Sequence, residues 1–485
     1  MKVCLVAPPN PAMIDPRIAP PLGLAYLAGW ARAHGRSTED WRIVDLNVEC
    51  LGDWPADGHW THDFSIARCL SLIPTGARVY GLSLASMQLP HGRALAAELR
   101  KREPGALIVA GGSHASALPD ECCDAVAMQG GNFDVVIERE GEVAFFDLLD
   151  AVESGWTMAQ PLTTPGARKA TGGAGWVVRG TEIDPLDQLP FPARDMLDFP
   201  RYTRMIAGAR ATNITNSRGC PARCRWCQQE SLHGSGATRY QSADRILAEV
   251  DDIYRTTGIK NILFLDDTLT ARKRSEIYKL CDGLVERGVL WRGWTRANLC
   301  VRPGDREMLA YMAKSGCQAI CIGVESGSDK VLKAMDKGTT VAQNREAIRN
   351  VAEAGIDARC SIMVGAARET WEDVFILHEF LESVSPWLSD WILSTYVPLP
   401  GTPDWEKPEQ VGLIIDKAKA TREGYRHFFV VGGDEQSGLV HSWADGTTQA
   451  DIQARHDATQ EALLRLCPRD RKRVTMGVAN GIAAK

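Results

Sequence analysis

The sequence predicts an α/β protein: a Rossmann-like, doubly wound parallel sheet, then an open (β/α)6 partial TIM barrel and a small, mostly helical C-terminal region. Two observations predict this fold class. Short apolar runs alternate with segments of helical periodicity over residues 1–155, and the same alternation returns over residues 205–405. Strands and helices that alternate at these lengths form parallel sheets covered by helices.

The organisation along the chain follows from this alternation. A chain of 485 residues is too long for one ordinary core. Residues 156–204 are rich in glycine, proline and threonine and predict a linker, with a hairpin or loop near residues 166–175. We therefore expect a first domain at 1–155, a linker at 156–204, a second domain at 205–405 and a C-terminal extension at 406–485.

Composition and charge exclude several classes of protein. A net charge of −6 and a pI near 6.0 give no electrostatic footprint for nucleic acid. No apolar run approaches the roughly 20 residues of a membrane-spanning helix, and the apolar start at residues 3–7 predicts a buried strand, not a signal peptide. Fourteen cysteines without such a signal indicate a reducing compartment. We expect a cytoplasmic protein that binds neither nucleic acid nor membrane.

The first domain supplies five predicted strands with helices between them. We place strands at 3–7, 42–46, 79–84, 107–110 and 134–137, and helices at 22–33, 91–102 and 142–152. Ligands of doubly wound sheets bind beyond the carboxyl ends of the strands, where small residues let a large flat ligand approach the backbone. The candidate residues there are Pro8, Asn10, Ser83, Ala85, Gly111, Gly112, His114, Glu140 and Gly141.

The second domain supplies six predicted strands. They lie at 212–215, 261–265, 293–298, 319–324, 358–364 and 392–397, with helices at 243–254, 275–287, 306–314, 341–354 and 371–384. Functional groups of such barrels gather at the carboxyl ends of the strands. The polar candidates at those ends are Asp266, Asp267, Arg296, Glu325 and the segment from Tyr396 to Pro398. A further helix is predicted at 450–466.

Three cysteines follow the first of these strands, in the run Ser217-Arg-Gly-Cys220-Pro-Ala-Arg-Cys224-Arg-Trp-Cys227. Thiolates are the soft ligands that iron–sulfur clusters and zinc take. Three cysteines can hold three corners of a [4Fe–4S] cubane and leave one iron without a protein ligand. The alternative is a structural zinc site, closed by His233 as the fourth ligand.

The cysteine run resembles the cluster motif of the radical S-adenosylmethionine (SAM) family. The resemblance implies a [4Fe–4S] cluster on Cys220, Cys224 and Cys227, whose open iron is chelated by the amino and carboxylate groups of SAM. Electron transfer into SAM then releases a 5′-deoxyadenosyl radical. It also implies that Trp226, the aromatic residue before the last cysteine, lies beside SAM.

The family resemblance continues through the second domain, at residues 323–329 and 335–339. It implies that Asp266 or Asp267 and Glu325 contact the amino and ribose groups of SAM, and Arg296 its carboxylate. The backbone at Tyr396, Val397 and Pro398 is implied to contact adenine. For each acid the alternative is a salt bridge or a helix cap. Relatives carry Gly-x-Pro-Gly-Glu where this chain has Gly365-Ala-Ala-Arg-Glu369, so we expect a differently shaped fifth loop.

The first domain resembles the cobalamin-binding domain that precedes the radical core in one large class of these enzymes. The runs at 20–27, 111–114 and 139–142 carry the resemblance. The Asp-x-His-x-x-Gly signature that ligates cobalt is absent, so cobalamin would be held without a histidine ligand. The alternative is a domain that has lost its cofactor and forms a wall of the substrate pocket.

This two-domain resemblance implies an enzyme that uses the radical to act on an unactivated carbon of a small metabolite. The expected reaction is cobalamin-dependent C-methylation in secondary metabolism, on a sugar or aminocyclitol, with a flavodoxin- or ferredoxin-type electron donor. One alternative is a cobalamin-independent dehydratase or oxidase of the aminoglycoside type. Another is a non-catalytic corrinoid or cluster carrier. The sequence assigns no catalytic acid or base.

Overall fold

The structure is a computed structural model, and it describes residues 1–10, 16–51, 63–234, 238–266, 268–423 and 441–467. Two seven-stranded sheets dominate it, one in each half of the chain. No helix within the described ranges combines the length and the apolarity needed to cross a bilayer.

The first sheet is built mainly from parallel strands. Its strands are β1 (Val3–Ala7), β2 (Trp41–Asp45), β3 (Val79–Ser83), β4 (Leu107–Gly111), β5 (Val135–Glu138), β6 (Ala167–Lys169) and β7 (Trp176–Arg179), in the spatial order β2-β1-β3-β4-β5-β7-β6. Its helices are α1 (Leu22–Ala33), α2 (Leu46–Glu49), α3 (Ile66–Leu72), α4 (Leu89–Arg102), α5 (Ser113–Ala117), α6 (Pro119–Cys123) and α7 (Glu142–Glu153). Strands β1 to β5 run parallel to their neighbours.

Helices cover both faces of this sheet, as the unbroken burial of β1 requires. Leu24 of α1 and Phe145 of α7 pack on one face, and Leu95 and Leu99 of α4 pack on the other. The predicted doubly wound fold is confirmed. The order 2-1-3-4-5 reverses direction between β1 and β3, and such a reversal opens a crevice beyond the carboxyl ends of those two strands.

The first sheet continues past residue 155, into the segment that sequence analysis assigned to the linker. Strand β7 pairs in parallel with β5, and β6 pairs with β7 as an antiparallel hairpin. The hairpin predicted near residues 166–175 therefore serves as the edge of the sheet. The strands of this hairpin are so short that the alternation of apolar residues gives only a weak periodic signal. The sequence pattern alone therefore could not assign the hairpin to a sheet.

The second sheet forms the open barrel. Its strands are β8 (Met205–Ile206), β9 (Ala209–Ile214), β12 (Asn261–Phe264), β13 (Trp291–Arg296), β14 (Cys317–Glu325), β15 (Asp357–Val364) and β16 (Leu388–Thr395), in the order β16-β15-β14-β13-β12-β9-β8, while β10 (Ser217–Arg218) and β11 (Arg239–Tyr240) pair separately. Its helices are α8 (Gln229–His233), α9 (Ala243–Thr257), α10 (Arg274–Arg287), α11 (Asp305–Lys314), α12 (Asp329–Ala334), α13 (Val341–Glu353) and α14 (Trp371–Val384). Six strands are parallel and β8 is antiparallel, which confirms the predicted partial barrel.

The described part of the C-terminal region is small. It contains α15 (Pro403–Glu406), β17 (Leu413–Ile415), α16 (Lys417–Glu423), β18 (His441–Trp443) and α17 (Gln449–Leu466). Helix α17 packs outside the barrel, where Leu463 and Cys467 join the core beside Leu388 of β16. Strands β17 and β18 pair antiparallel, so this region is less purely helical than expected.

Candidate active site

The three cysteines lie in the loop after β9, here called the cysteine loop (residues 215–228). Cys224 is buried, Cys220 and Cys227 are partly exposed, and the amide of Cys227 donates to the carbonyl of Cys224 over 3.1 Å. Within the described ranges, no three His, Cys, Asp or Glu side chains are grouped to hold one metal ion. His233, the fourth ligand of the zinc alternative, lies 3.4 Å from a carboxylate oxygen of Glu140.

The start of the cysteine loop is held by Asp266, which follows the carboxyl end of β12. One carboxylate oxygen of Asp266 accepts hydrogen bonds from the amides of Asn216 at 2.8 Å and Ser217 at 3.1 Å. Arg272 lies 3.6 Å from the other oxygen. Burial raises the pKa of Asp266, and Arg272 and the two amides oppose that rise. Contact of Asp266 with SAM remains a prediction, and Asp267 lies outside the described residues.

A chain of charged side chains joins three predicted residues beside Cys224. The guanidinium of Arg296 donates to the Cys224 sulfur at 3.3 Å and to the carbonyl of Lys337. The ammonium of Lys337 donates to Glu325 at 2.7 Å and lies 5.5 Å from the centre of the Trp226 ring. Arg296 therefore places a cation beside the Cys224 thiol, and Lys337 links Glu325 to Trp226.

The geometry around Glu325 depends on unusual backbone. Glu325 ends β14 with a φ of 63°, and the register with β15 shifts between Gly323 and Glu325. A left-handed conformation costs about 1–2 kcal/mol for a residue other than glycine. A Cβ at Gly323 would lie 2.7 Å from the Lys337 nitrogen and 2.9 Å from a Glu325 oxygen, so glycine makes room for this pair. Strain of this kind concentrates at functional sites.

The end of β16 reaches the cysteine loop through a second polar chain. The hydroxyl of Tyr396 donates to Asp404 at 2.7 Å, and Arg225 donates to the other oxygen of Asp404 at 2.6 Å. Burial and the neighbouring Asp404 carboxylate raise the pKa of Tyr396 well above its usual value. Val397 packs against the apolar core of the first domain, and Pro398 is buried beside it. Adenine contact by this segment remains a prediction.

The candidate residues of the first domain lie where the strand order reverses. Pro8 follows β1, and its carbonyl accepts a hydrogen bond from Gln88 at 2.6 Å. The amide of Asn10 donates to the side chain of Asn47 at 2.7 Å. Ser83 ends β3, with Ala85 two residues on. Because β1 and β3 are neighbours, the residues after them share one edge of the crevice.

The two glycines at the carboxyl end of β4 and the histidine after them complete this edge. Gly112 has a φ of 97°, and an added Cβ would lie 2.7 Å from the Leu84 backbone, so only glycine fits. At Gly111 the nearest atom to an added Cβ is 3.8 Å away, which leaves the edge open. His114 is fully buried with a ring nitrogen 3.0 Å from Ser86. Burial lowers the pKa of His114 to about 3, so its imidazole is neutral.

Glu140 lies in an ion-pair cluster between the two domains. Its carboxylate contacts Arg218 of β10 at 2.7 Å, Arg239 of β11 and His233 of α8 at 3.4 Å. Glu142 also pairs with Arg218, at 2.5 Å. Burial would raise the pKa of Glu140, but the contacts with His233, Arg239 and Arg218 lower it well below its usual range. Gly141 sits between the two acids, partly buried.

Sequence reasoning assigned no role to four residues of these networks: Arg218, Arg225, Lys337 and Asp404. Arg218 and Arg225 lie inside the cysteine run, and Lys337 lies inside the run at 335–339. These three charged residues lie among motif residues, and that position was the signal by which sequence analysis could have identified them. Asp404 follows Pro403 in an ordinary helix start, so nothing in its local sequence indicated a partner in the cysteine loop.

The residues present fit the implied cofactors. Asn213 of β9 and Gln241 each bury both polar side-chain atoms with no hydrogen-bond partner in the described part of the chain. An unsatisfied buried polar group costs about 1–3 kcal/mol, which a ligand with donors and acceptors would offset. Three thiols in one loop, one of them in contact with Arg296, suit an iron–sulfur cluster. The open, glycine-lined edge of the first sheet suits a large flat ligand.

Comparisons with known proteins agree with both domains. A model of the B12 binding domain matches residues 16–149, and a model of the radical SAM superfamily matches residues 214–381. An uncharacterised methyltransferase of Pyrococcus horikoshii is 28% identical, with 86% of this chain and 84% of that protein covered. The anaerobic magnesium-protoporphyrin IX monomethyl ester cyclase of Rubrivivax gelatinosus is 25% identical, and the chain spans only 65% of its length.

A solved structure shares the whole fold. TsrM of Kitasatospora setae, a radical SAM methyltransferase with cobalamin and a [4Fe–4S] cluster bound, superposes with a TM-score of 0.67 at 19% identity. The match covers 100% of this chain and 92% of that one. The chain therefore carries a radical SAM domain and a B12 binding domain, and it is an enzyme with a [4Fe–4S] cluster, SAM and cobalamin as its cofactors.

Proposed function

We propose that this enzyme transfers a methyl group to an unactivated carbon of a small molecule. One observation carries the proposal: the carboxyl edges of the two sheets meet. Glu140, after β5, pairs with Arg218 of the cysteine loop. An added Cβ at Gly401, after β16, would lie 2.8 Å from Ala117 of α5. Groups bound at the two edges would face the same space.

The chain's own residues have assigned tasks in this proposal. Cys220, Cys224 and Cys227 hold the cluster, while Trp226, Asp266, Arg296, Glu325 and the segment from Tyr396 to Pro398 hold SAM. The edge from Pro8 to Gly141 holds cobalamin. When bound, these groups supply a radical that takes a hydrogen atom from carbon, and a methyl donor. Protein side chains add binding, orientation and exclusion of water.

The two-domain match and the methyltransferase relatives support methyl transfer over the cobalamin-independent dehydratase or oxidase. The cyclase relative is named for a different reaction, so the reaction type needs a direct test. A non-catalytic carrier would have no use for the Glu325–Lys337 pair that Arg296 connects to Cys224. An electron donor of the flavodoxin or ferredoxin type completes the proposal, since the cluster must be reduced from outside.

The fate of the methyl group of SAM tests the proposal. Anaerobically reconstituted enzyme, supplied with cobalamin, reductant and methyl-labelled SAM, is incubated with pools of small metabolites that include sugars and aminocyclitols. We expect label on a carbon of one product. A product that has lost water or hydrogen and carries no label would instead establish the dehydratase or oxidase reaction.

A further inference from the structure

The concave face of the barrel carries charged residues that the cofactors do not use. In β13 to β16 alternate residues pack outward against helices, among them Trp291, Ile320 and Ile362. The residues between them face the concave side. Trp294, Cys321, Arg359 and Asp390 are direct neighbours in one row across these four strands. Arg292 lies two residues before Trp294, on the same face and in the next row.

Two arginines and two acids line this face: Arg359 and Asp390 in the first row, Arg292 and Asp357 in the next. Arg359 pairs with Asp390 at 3.0 Å. Arg292 has no ion-pair or hydrogen-bond partner in the described part of the chain, and its Nε atom is buried. Burial and the nearby Arg359 lower the pKa of Arg292 to about 10, so it stays charged. The acid that acts on Arg292 is Asp390, which already pairs with Arg359, so an anionic ligand would give Arg292 a counter-charge of its own.

Apolar side chains left in solvent flank these arginines. Ile392, two residues after Asp390 on the same face, is 38% exposed, although it sits in a central segment of β16. Trp294 is also partly exposed, and Leu265, just after β12, is 39% exposed. Apolar residues accessible inside a concave surface, with a few charged groups among them, are typical of a small-molecule site.

We propose that this concave face binds the substrate, and that Arg292 and Arg359 hold an anionic group of it, a carboxylate or a phosphate. The apolar part of the substrate then rests on Trp294 and Ile392. This inference rests on the proposed function, because it names the substrate class of the same site. It favours an acidic metabolite or a sugar phosphate over a cationic aminocyclitol, because Arg292 has no acidic partner of its own in the described part of the chain.

Strand geometry sets the length of such a substrate. Arg292 and Arg296 are four residues apart on β13, which corresponds to about 13 Å along the strand. Arg296 contacts Cys224 of the cysteine loop. If the anionic group of the substrate binds at the arginine pair, the reacting carbon reaches the cofactors when the two are separated by a distance on the order of 10 Å. Guanidinium groups suit this task because they bind carboxylate and phosphate through paired hydrogen bonds.

Binding of small anionic probes tests the inference without turnover. Phenylphosphate, phenylacetate and the neutral 2-phenylethanol are titrated calorimetrically into the anaerobically reconstituted full chain. We expect one or both anions to bind, and the tighter anion identifies the group that the site prefers. Arg292→Gln should weaken that binding at least about tenfold, and Arg292→Lys should restore part of it. The matched control is Arg255→Gln, on the exposed side of α9, which should change nothing.

Three results would overturn the inference. They are no binding of either anion up to about 10 mM, equal binding of 2-phenylethanol, or unchanged affinity in Arg292→Gln with its melting temperature intact. If Arg292→Gln fails to fold, Arg359→Lys serves instead, because it keeps the partner of Asp390 and removes the paired donors. The titration needs neither SAM nor methyl transfer, so its outcome is separate from that of the labelling experiment.

Discussion

At the scale of the residue, Glu325 is the side chain on which the proposed SAM site depends most. It is buried at the end of β14 and held by Lys337, which itself lies between Trp226 and Arg296. Its left-handed backbone is a strained conformation, of a kind that concentrates at functional sites. The sequence indicated Glu325 because an apolar strand stops there, but the pairing with Lys337 depends on a loop conformation that no local pattern encodes.

We expect Glu325→Gln to weaken SAM binding by about tenfold, because hydrogen bonds from a charged acceptor contribute about 1.5–3 kcal/mol. The measurement is the dissociation constant of SAM for the reconstituted enzyme. Glu346→Gln, an exposed acid of α13, is the matched control and should bind SAM as the unmodified enzyme does. Unchanged SAM affinity in Glu325→Gln would show that this acid only anchors Lys337.

At the scale of the element, the loop after β15 shows what the sequence could and could not predict. Its motif differs from the family pattern, and the structure gives the consequence. Arg368 occupies the position of the second glycine in the family's Gly-x-Pro-Gly-Glu, and its φ is 60°. Glu369, the residue that the motif keeps, accepts a hydrogen bond from the amide of Gly365 at 2.8 Å and closes the loop.

Replacing Arg368 by glycine should stabilise the protein by about 1 kcal/mol, since glycine adopts left-handed backbone without steric cost. Arg368 is exposed, and the hydrogen bond from its side chain to the carbonyl of Gln410 is long at 3.4 Å, so little is lost. The melting temperature reports the gain. Arg368→Ala keeps the Cβ and should show none. Equal melting temperatures for the glycine and alanine variants would mean that the backbone is not strained here.

The same loop predicts a pH dependence. Burial raises the pKa of Glu369 to about 7, against the opposing effects of the Gly365 amide and Arg455. The folded state therefore favours the protonated acid. Its contribution to stability is complete below the ordinary glutamate pKa near 4.5 and is lost as the pH rises through about 7.

Glu369→Gln keeps a neutral side chain at every pH. The melting temperature of the unmodified enzyme, relative to that of Glu369→Gln, should therefore fall between about pH 4.5 and pH 7.5. Glu346→Gln, whose acid is exposed, serves as the control and should show no such trend. A difference that stays constant or rises with pH would contradict the assignment of a buried, protonated Glu369.

Prediction of the elements themselves was accurate where periodicity was strong. Strand β1, helix α1 and helix α14 begin and end where the apolar pattern predicts. Ligands of parallel sheets and barrels bind at the carboxyl ends of the strands. Most candidate residues chosen for that reason do lie at those ends in the structure. Contacts between the domains, such as those of Glu140 with Arg218 and Arg239, could not be predicted. Each domain can be predicted from its own sequence pattern, but these contacts depend on how the two domains dock.

At the scale of the whole molecule, docking joins the two carboxyl edges into one site. The Arg-Glu-Gly-Glu run of the first domain provides Glu140 and Glu142, and both pair with Arg218, two residues before Cys220. These contacts are nearly excluded from solvent, so they are screened little by salt. The resemblance assigned this run to cobalamin, whereas the contacts seen here connect the cobalamin-type domain to the cysteine loop.

The central claim is that the first domain binds cobalamin through backbone and apolar contacts, opposite the cluster. Its most direct test is the corrinoid content of full-length protein produced with cobalamin supplied and purified anaerobically, read from the absorption spectrum. The account predicts about one corrinoid per chain, since the strand order in the described part of the domain reverses once, between β1 and β3. Protein that stays free of corrinoid at saturating supply, yet cleaves SAM to 5′-deoxyadenosine, would contradict it.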